Sequence, residues 1–140
     1  MFSNVINIIT RIQTDLQASI PGLLPTVTIT LDQPLEPVYT DLPAIYILPT
    51  KEEFIYEDST NNEDKKKLHL AIICQLQNGP ASTVATPILN AVVTALKADR
   101  TLGGDALYVE FSDVVWATDD NANGTVCGFA LDMTVDYFIS

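Results

Sequence analysis

A chain of 140 residues, 47% apolar and 8% aromatic, fits one globular domain: too apolar for disorder, and large enough to hold a core without a disulfide or a metal. Its 18 Asp and Glu against seven Lys and Arg leave a formal charge of −11, which argues against stable nucleic-acid binding, because that affinity comes from basic residues set on phosphates. No stretch approaches the ~20 apolar residues of a membrane helix, and Met1-Phe2-Ser3-Asn4 carries no positive charge while Arg11 interrupts the first apolar segment, so the sequence predicts neither a span nor a secretion signal.

Val5, Ile8, Ile9, Ile12 and Leu16 recur at helical spacing and predict a helix that starts after Ser3 as N-cap and ends before Pro21-Gly22. Asn4, Asn7, Arg11, Thr14 and Asp15 fall on its polar side. Residues 26–31 alternate strictly and predict a half-buried strand. The prolines of residues 32–37 forbid regular pairing there. Residues 44–48 predict a second strand stopped by Pro49, and residues 53–57 a short third one.

Residues 57–67 form the longest polar stretch, acids followed by Lys65-Lys66-Lys67, and predict an exposed loop. Leu68, Leu70, Ile72, Cys74 and Leu76 then line one face of a long strand. After Asn78-Gly79-Pro80 a second helix buries Ile88, Leu89, Val92, Val93 and Leu96. It begins either at Thr86-Pro87 or earlier, near Ser82, with Pro87 in its first turns. Residues 99–104, Asp-Arg-Thr-Leu-Gly-Gly, end that helix with a glycine in the left-handed region.

Two strands close the chain. In the last, Phe129, Leu131, Met133, Val135 and Tyr137 face one way. In the one before, Leu107, Val109 and Phe111 alternate, but Val114 and Trp116 continue the apolar series on the opposite parity, which predicts a bulge near Asp113. The order helix, strands, helix, strands predicts a single α+β domain: a mainly antiparallel sheet with two helices packed on one face.

The search for chemistry finds little. His69 is the only histidine, sits within a strand and has no neighbouring nucleophile, so it reads as structural rather than as a general base. Cys74 and Cys127 lie in apolar strand patterns without activating basic neighbours and read as buried reduced thiols, in keeping with a reducing cytoplasm. No phosphate-binding, dinucleotide or nucleophile-elbow motif occurs, and no cofactor is expected. Residues 119–126 match the opening of a calcium loop, with Asp119, Asn121, Asn123 and Gly124 in place, but Ala130 stands where a bidentate glutamate should close it. The same residues are what a β-hairpin turn demands, and a weak calcium-binding module is the minor reading.

From residue 88 to residue 137 the sequence resembles the bacteriophage tail terminators, the family that includes the minor tail protein U of phage lambda. The apolar helix, the Asp99-Arg100-Thr101-Leu102-Gly103-Gly104-Asp105-Ala106 turn, a strand, a polar turn and the closing strand through Tyr137 carry the resemblance. It implies a structural virion protein and not an enzyme. Its subunits would close into a hexameric ring assembled in the host cytoplasm, each contact heterologous and burying on the order of 1,000 Å². The ring would cap the tail tube protein, end its polymerisation, and join neck or connector proteins, with the sheath protein as a further partner in a contractile tail. DNA would pass through without stable binding, past an acidic lumen. Another neck or tail-completion protein is the alternative. The segments expected to contact other subunits are Glu57, Asp58, Glu63, Asp64, Lys65, Lys66 and Lys67, the hairpin residues Asp119, Asp120 and Asn121, and residues 32–41.

Overall fold

The computed structural model describes residues 2–31, 42–55, 65–77, 81–121 and 124–139. A short strand β1 (Phe2–Ser3) leads into α1 (Val5–Ser19), a 3-10 turn over Ile20–Gly22 and β2 (Thr28–Thr30). Then come β3 (Ala44–Ile55), β4 (Lys65–Gln77), a single helical turn α2 (Ala81–Val84) and α3 (Thr86–Lys97). A second 3-10 turn, Leu102–Gly104, precedes the hairpin of β5 (Tyr108–Asn121) and β6 (Gly124–Ile139). The fold is α+β, with a mainly antiparallel open sheet, as the element order predicts.

β6 is central. It pairs antiparallel with β4 on one side; on the other it pairs with β5 and, near its end, parallel with β1. β4 pairs with β3, and β3 with the short parallel strand β2. Residues opposite one another in a ladder share a face, so the register assigns the two sides. Ile45, Ile47, Leu68, Leu70, Ile72, Phe129, Leu131, Met133 and Val135 face inward. There they form one core with Ile8, Ile12 and Leu16 of α1 and Ile88, Val92 and Leu96 of α3.

The first helix begins one residue later than its sequence suggests. Asn4, not Ser3, is the N-cap: its Oδ1 accepts the Asn7 N–H at 3.0 Å, while Ser3 pairs with Ile139 in the sheet. The second helix combines both predicted starts. A turn over Ala81–Val84 is interrupted at Ala85, and α3 resumes with Pro87 in its first turn, where a missing N–H costs nothing.

Two strand boundaries depart from prediction. Pro49 does not stop β3, which runs on to Ile55 and absorbs the third predicted strand. Among the described residues β2 pairs with β3 only as far as Tyr46, so no ladder on that side reaches Pro49 for its missing donor to break. A register shift between Pro49 and Lys51 takes up the irregularity, and the Thr50 hydroxyl donates to the His69 carbonyl there at 3.1 Å. The bulge predicted near Asp113 is present, as a register shift between Phe111 and Val114 that brings Val114 and Trp116 onto the face of Val109 and Phe111.

The glycine turn after α3 takes the left-handed geometry its sequence demands. Gly103 and Gly104 have φ of 67° and 97°, and Leu102, at φ 49°, is carried into the same region with its side chain fully buried. A Cβ on Gly103 would stand 3.0 Å from Arg11 Cζ. Gly103→Ala is therefore expected to cost about 1–2 kcal/mol, combining the strained φ with displacement of the guanidinium; urea unfolding of the two proteins checks it.

Candidate functional site

No constellation of nucleophile, base and electrophile stands out among the described residues, so surfaces and junctions carry the search. The best-defined polar cluster joins α1 to the glycine turn. Arg11 Nε donates to Asp99 Oδ2 at 2.9 Å and lies 3.4 Å from Asp15 Oδ1, and Asp99 Oδ1 accepts the Gly103 N–H at 2.9 Å. The sequence placed Arg11 and Asp15 on a plain polar face; 88 residues separate Arg11 from Asp99, and only the fold brings them together. Burial pushes the Asp15 carboxyl up to about 7, helped by its hydrogen bond to Asp99, and Asp99 is held below the usual carboxylate range by that same bond and by Arg11. Asp15 Oδ2 is buried and meets no hydrogen-bond donor among the described residues. The cluster is a structural tie between α1 and the glycine turn.

Lys65, Lys66 and Lys67 are not in a loop. They open β4, opposite Ile55, Phe54 and Glu53 on β3 and Phe138, Tyr137 and Asp136 on β6, and all three are half-buried. Lysine stems cover apolar surface while the heads find acids. Lys65 reaches Asp136 at 3.7 Å, and Lys66 reaches Glu52 at 3.6 Å while lying 4.7 Å from the centre of the Phe54 ring. Glu52 also accepts from the buried Tyr137 hydroxyl. Two of the three lysines are thus engaged within the chain.

His69 Nε2 and Glu53 Oε1 lie 2.6 Å apart, and Glu53 also pairs with Lys51 at 3.1 Å, which with His69 holds its carboxyl below the ordinary range. This is a surface ion-pair group. The two thiols are buried, and burial pushes Cys74 up to about 12 and Cys127 upward too, which leaves them unreactive.

The polar stretch read as a turn is shorter than its sequence suggests. Asp119, Asp120 and Asn121 continue β5, opposite Val126, Thr125 and Gly124, so the connection falls at residues 122–123. Of the residues that would wrap a calcium ion, Asp119 and Asn121 lie in β5 and Gly124 in β6, because the ladder continues to the end of the strand. Among the described residues no group of three His, Cys, Asp or Glu could hold a metal, and no helix is long and apolar enough to cross a membrane. Glu57, Asp58, Glu63, Asp64 and residues 32–41 lie outside the described residues.

The sequence reading missed the outer face of the sheet. Tyr46, Ile73, Ala130 and Val115 form one cross-strand row, and Ala44, Gln75, Gly128 and Ala117 the next. Tyr46 is buried, whereas at β5 Val115 is 59% exposed. Between them is a groove of about 230 Å³ lined by Ile73, Gln75, Val115, Ala117 and Ala130, among others. The signal was present in residues 114–118, an uncharged run within an acidic strand.

No protein-family model matches the chain, and no curated protein matches it in sequence. Among solved structures it is similar to a chain from the virion of a native gene transfer agent particle, with 12% identity, a TM-score of 0.47, and 91% of each chain covered.

Proposed function

We propose that this chain is a structural subunit of a bacteriophage tail: a terminator that closes into a ring, caps the tail tube, ends its polymerisation and presents a joining surface toward the head. The reading assigns it assembly rather than catalysis. The observation that carries it is the stretch whose sequence resembles that family. The described residues between 88 and 137 comprise most of α3, the left-handed Leu102–Gly104 turn and the paired strands β5 and β6. Asp99, the first residue of the resembling turn, is also the residue that ties this unit to α1. A ring requires a heterologous contact, one patch meeting a different patch on the next copy. Among the described residues the two sides of this sheet are unlike, with the three-residue β2 at one edge and the 14-residue β5 at the other.

Light scattering of the protein, alone and with tail tube protein, tests the reading together with electron microscopy of the same samples. Six-fold rings, free or on tube ends, are the expected result. A lasting monomer under both conditions overturns it.

A further inference from the structure

We propose that residues 114–118 of β5 are a docking edge, which takes up as an added strand an extended segment of another protein that is apolar at alternate positions and carries lysine or arginine at both ends. The inference goes beyond the tail-terminator reading, and its test does not require a ring.

Among the described residues β5 pairs with β6 alone, so the backbone N–H and C=O groups along its other side are left without a ladder. The bulge at Ser112 and Asp113 breaks the strand into two parts. Beyond it Val114, Val115, Trp116, Ala117 and Thr118 run in unbroken register opposite Leu131, Ala130, Phe129, Gly128 and Cys127. None is charged, and all but Ala117 are good strand formers. Val115 and Trp116 are 59% and 41% exposed, on opposite faces. Val115 rims the outer groove, and Trp116 is propped edge-on by Phe129, ring centres 6.0 Å apart at 68°. An added strand would cover both, its alternate side chains reaching the groove on one face and the indole on the other.

Charge selects the occupant. Glu110 and Asp113 precede the window, both exposed and with no ion pair among the described residues, and Asp119-Asp120 follow it in sequence. Acids at an edge are a common guard against self-pairing. Two copies joined β5 to β5 would set these ends against each other, in a chain whose net charge is already −11. Nor does another copy offer a basic strand. Arg11 and Lys97 are in helices, Arg100 is in the turn after α3, and Lys65, Lys66 and Lys67 are in β4, which is paired on both sides. Lys51, on β3, is followed by Glu52 and Glu53, and β2 is three uncharged residues. The occupant that fits is a cationic strand from a different protein.

Amide hydrogen exchange of the full chain, read by NMR, tests this with two end-blocked peptides, Lys-Lys-Val-Thr-Val-Thr-Val-Lys-Lys and its counterpart with glutamate for lysine. The cationic peptide is expected to slow alternate amides within residues 114–118, and to bind about tenfold more tightly than the acidic one at low salt. In the double variant E110K/D113K that preference should vanish, with the circular dichroism unchanged because both sites are exposed. Protection elsewhere but not on β5, equal binding of the two peptides, or a preference that survives in the double variant overturns the proposal. So does β5 protection that grows with protein concentration in the absence of peptide, since a second copy would then be the occupant.

Discussion

Gly128→Ala is expected to prevent stable folding, or to cost about 3 kcal/mol or more if the chain still folds. Gly128 lies within β6, opposite Gln75 on β4 and Ala117 on β5. A Cβ there would stand 1.8 Å from the Cys74 carbonyl oxygen, 2.9 Å from its carbon and 3.3 Å from Gln75 Cα. All three atoms are backbone, so no rotamer change relieves the clash; the two central strands would have to part. The β4–β6 ladder runs unbroken from Lys65 and Phe138 to Gln77 and Val126, and separating it at one point exposes neighbouring ladder groups and the row of Ile73 and Ala130 beside it. Thermal unfolding followed by circular dichroism checks the expectation. A melting temperature within a degree or two of the parent would show that the strands approach less closely than described.

This close approach was not legible in the sequence, where Gly128 interrupts nothing in the alternation of Cys127, Phe129 and Leu131. What was legible follows from period and parity. The apolar face of α1 and the inward series of β4 and β6 follow because one-sided burial leaves a periodic trace. The bulge follows because Val109 and Phe111 differ in parity from Val114 and Trp116. Misreadings arose where local propensity was outvoted by a partner strand. Pro49 reads as a stop until the ladder with β4 is seen to carry β3 past it. Lys65, Lys66 and Lys67 read as loop until Phe54, Glu52 and Asp136 supply cover and countercharge. Asp119, Asp120 and Asn121 favour a turn by composition, yet the register with β6 keeps all three in β5. The junction of Arg11, Asp15 and Asp99 left no local trace, since its members come from the body of α1 and the turn after α3, far apart in the chain.

That junction makes the second large prediction, a stability that falls as pH rises, relieved by Asp15→Asn. In the folded chain burial and the hydrogen bond to Asp99 push Asp15 up to about 7, against an ordinary aspartate value near 3.8. The folded state therefore holds a proton that the unfolded chain releases, and folding loses stability as pH rises from about 4 to about 7. Asp99 works in the opposite sense. Its depressed value means that its contribution is present above the ordinary aspartate range and is lost as pH falls through its folded value. The tie between α1 and the glycine turn is then strongest between these limits, with Asp99 ionised toward Arg11 and Gly103 and Asp15 still protonated. Asparagine at position 15 keeps the shape and the donor but has no proton to lose. Asp15→Asn should thus match the parent near pH 5 and exceed it by about 1 kcal/mol at pH 8, less than the full shift would imply because the cluster is part-exposed and screened by solvent. Urea midpoints for the two proteins at pH 5 and pH 8 measure the difference directly, and the parent serves as the control for the general repulsion of an acidic chain, which both share. Equal slopes with pH in parent and variant would place the proton elsewhere. Removing the anion instead, by Asp99→Ala, should destabilise at both pH values, because Arg11 and the Gly103 N–H lose their acceptor whatever the state of Asp15.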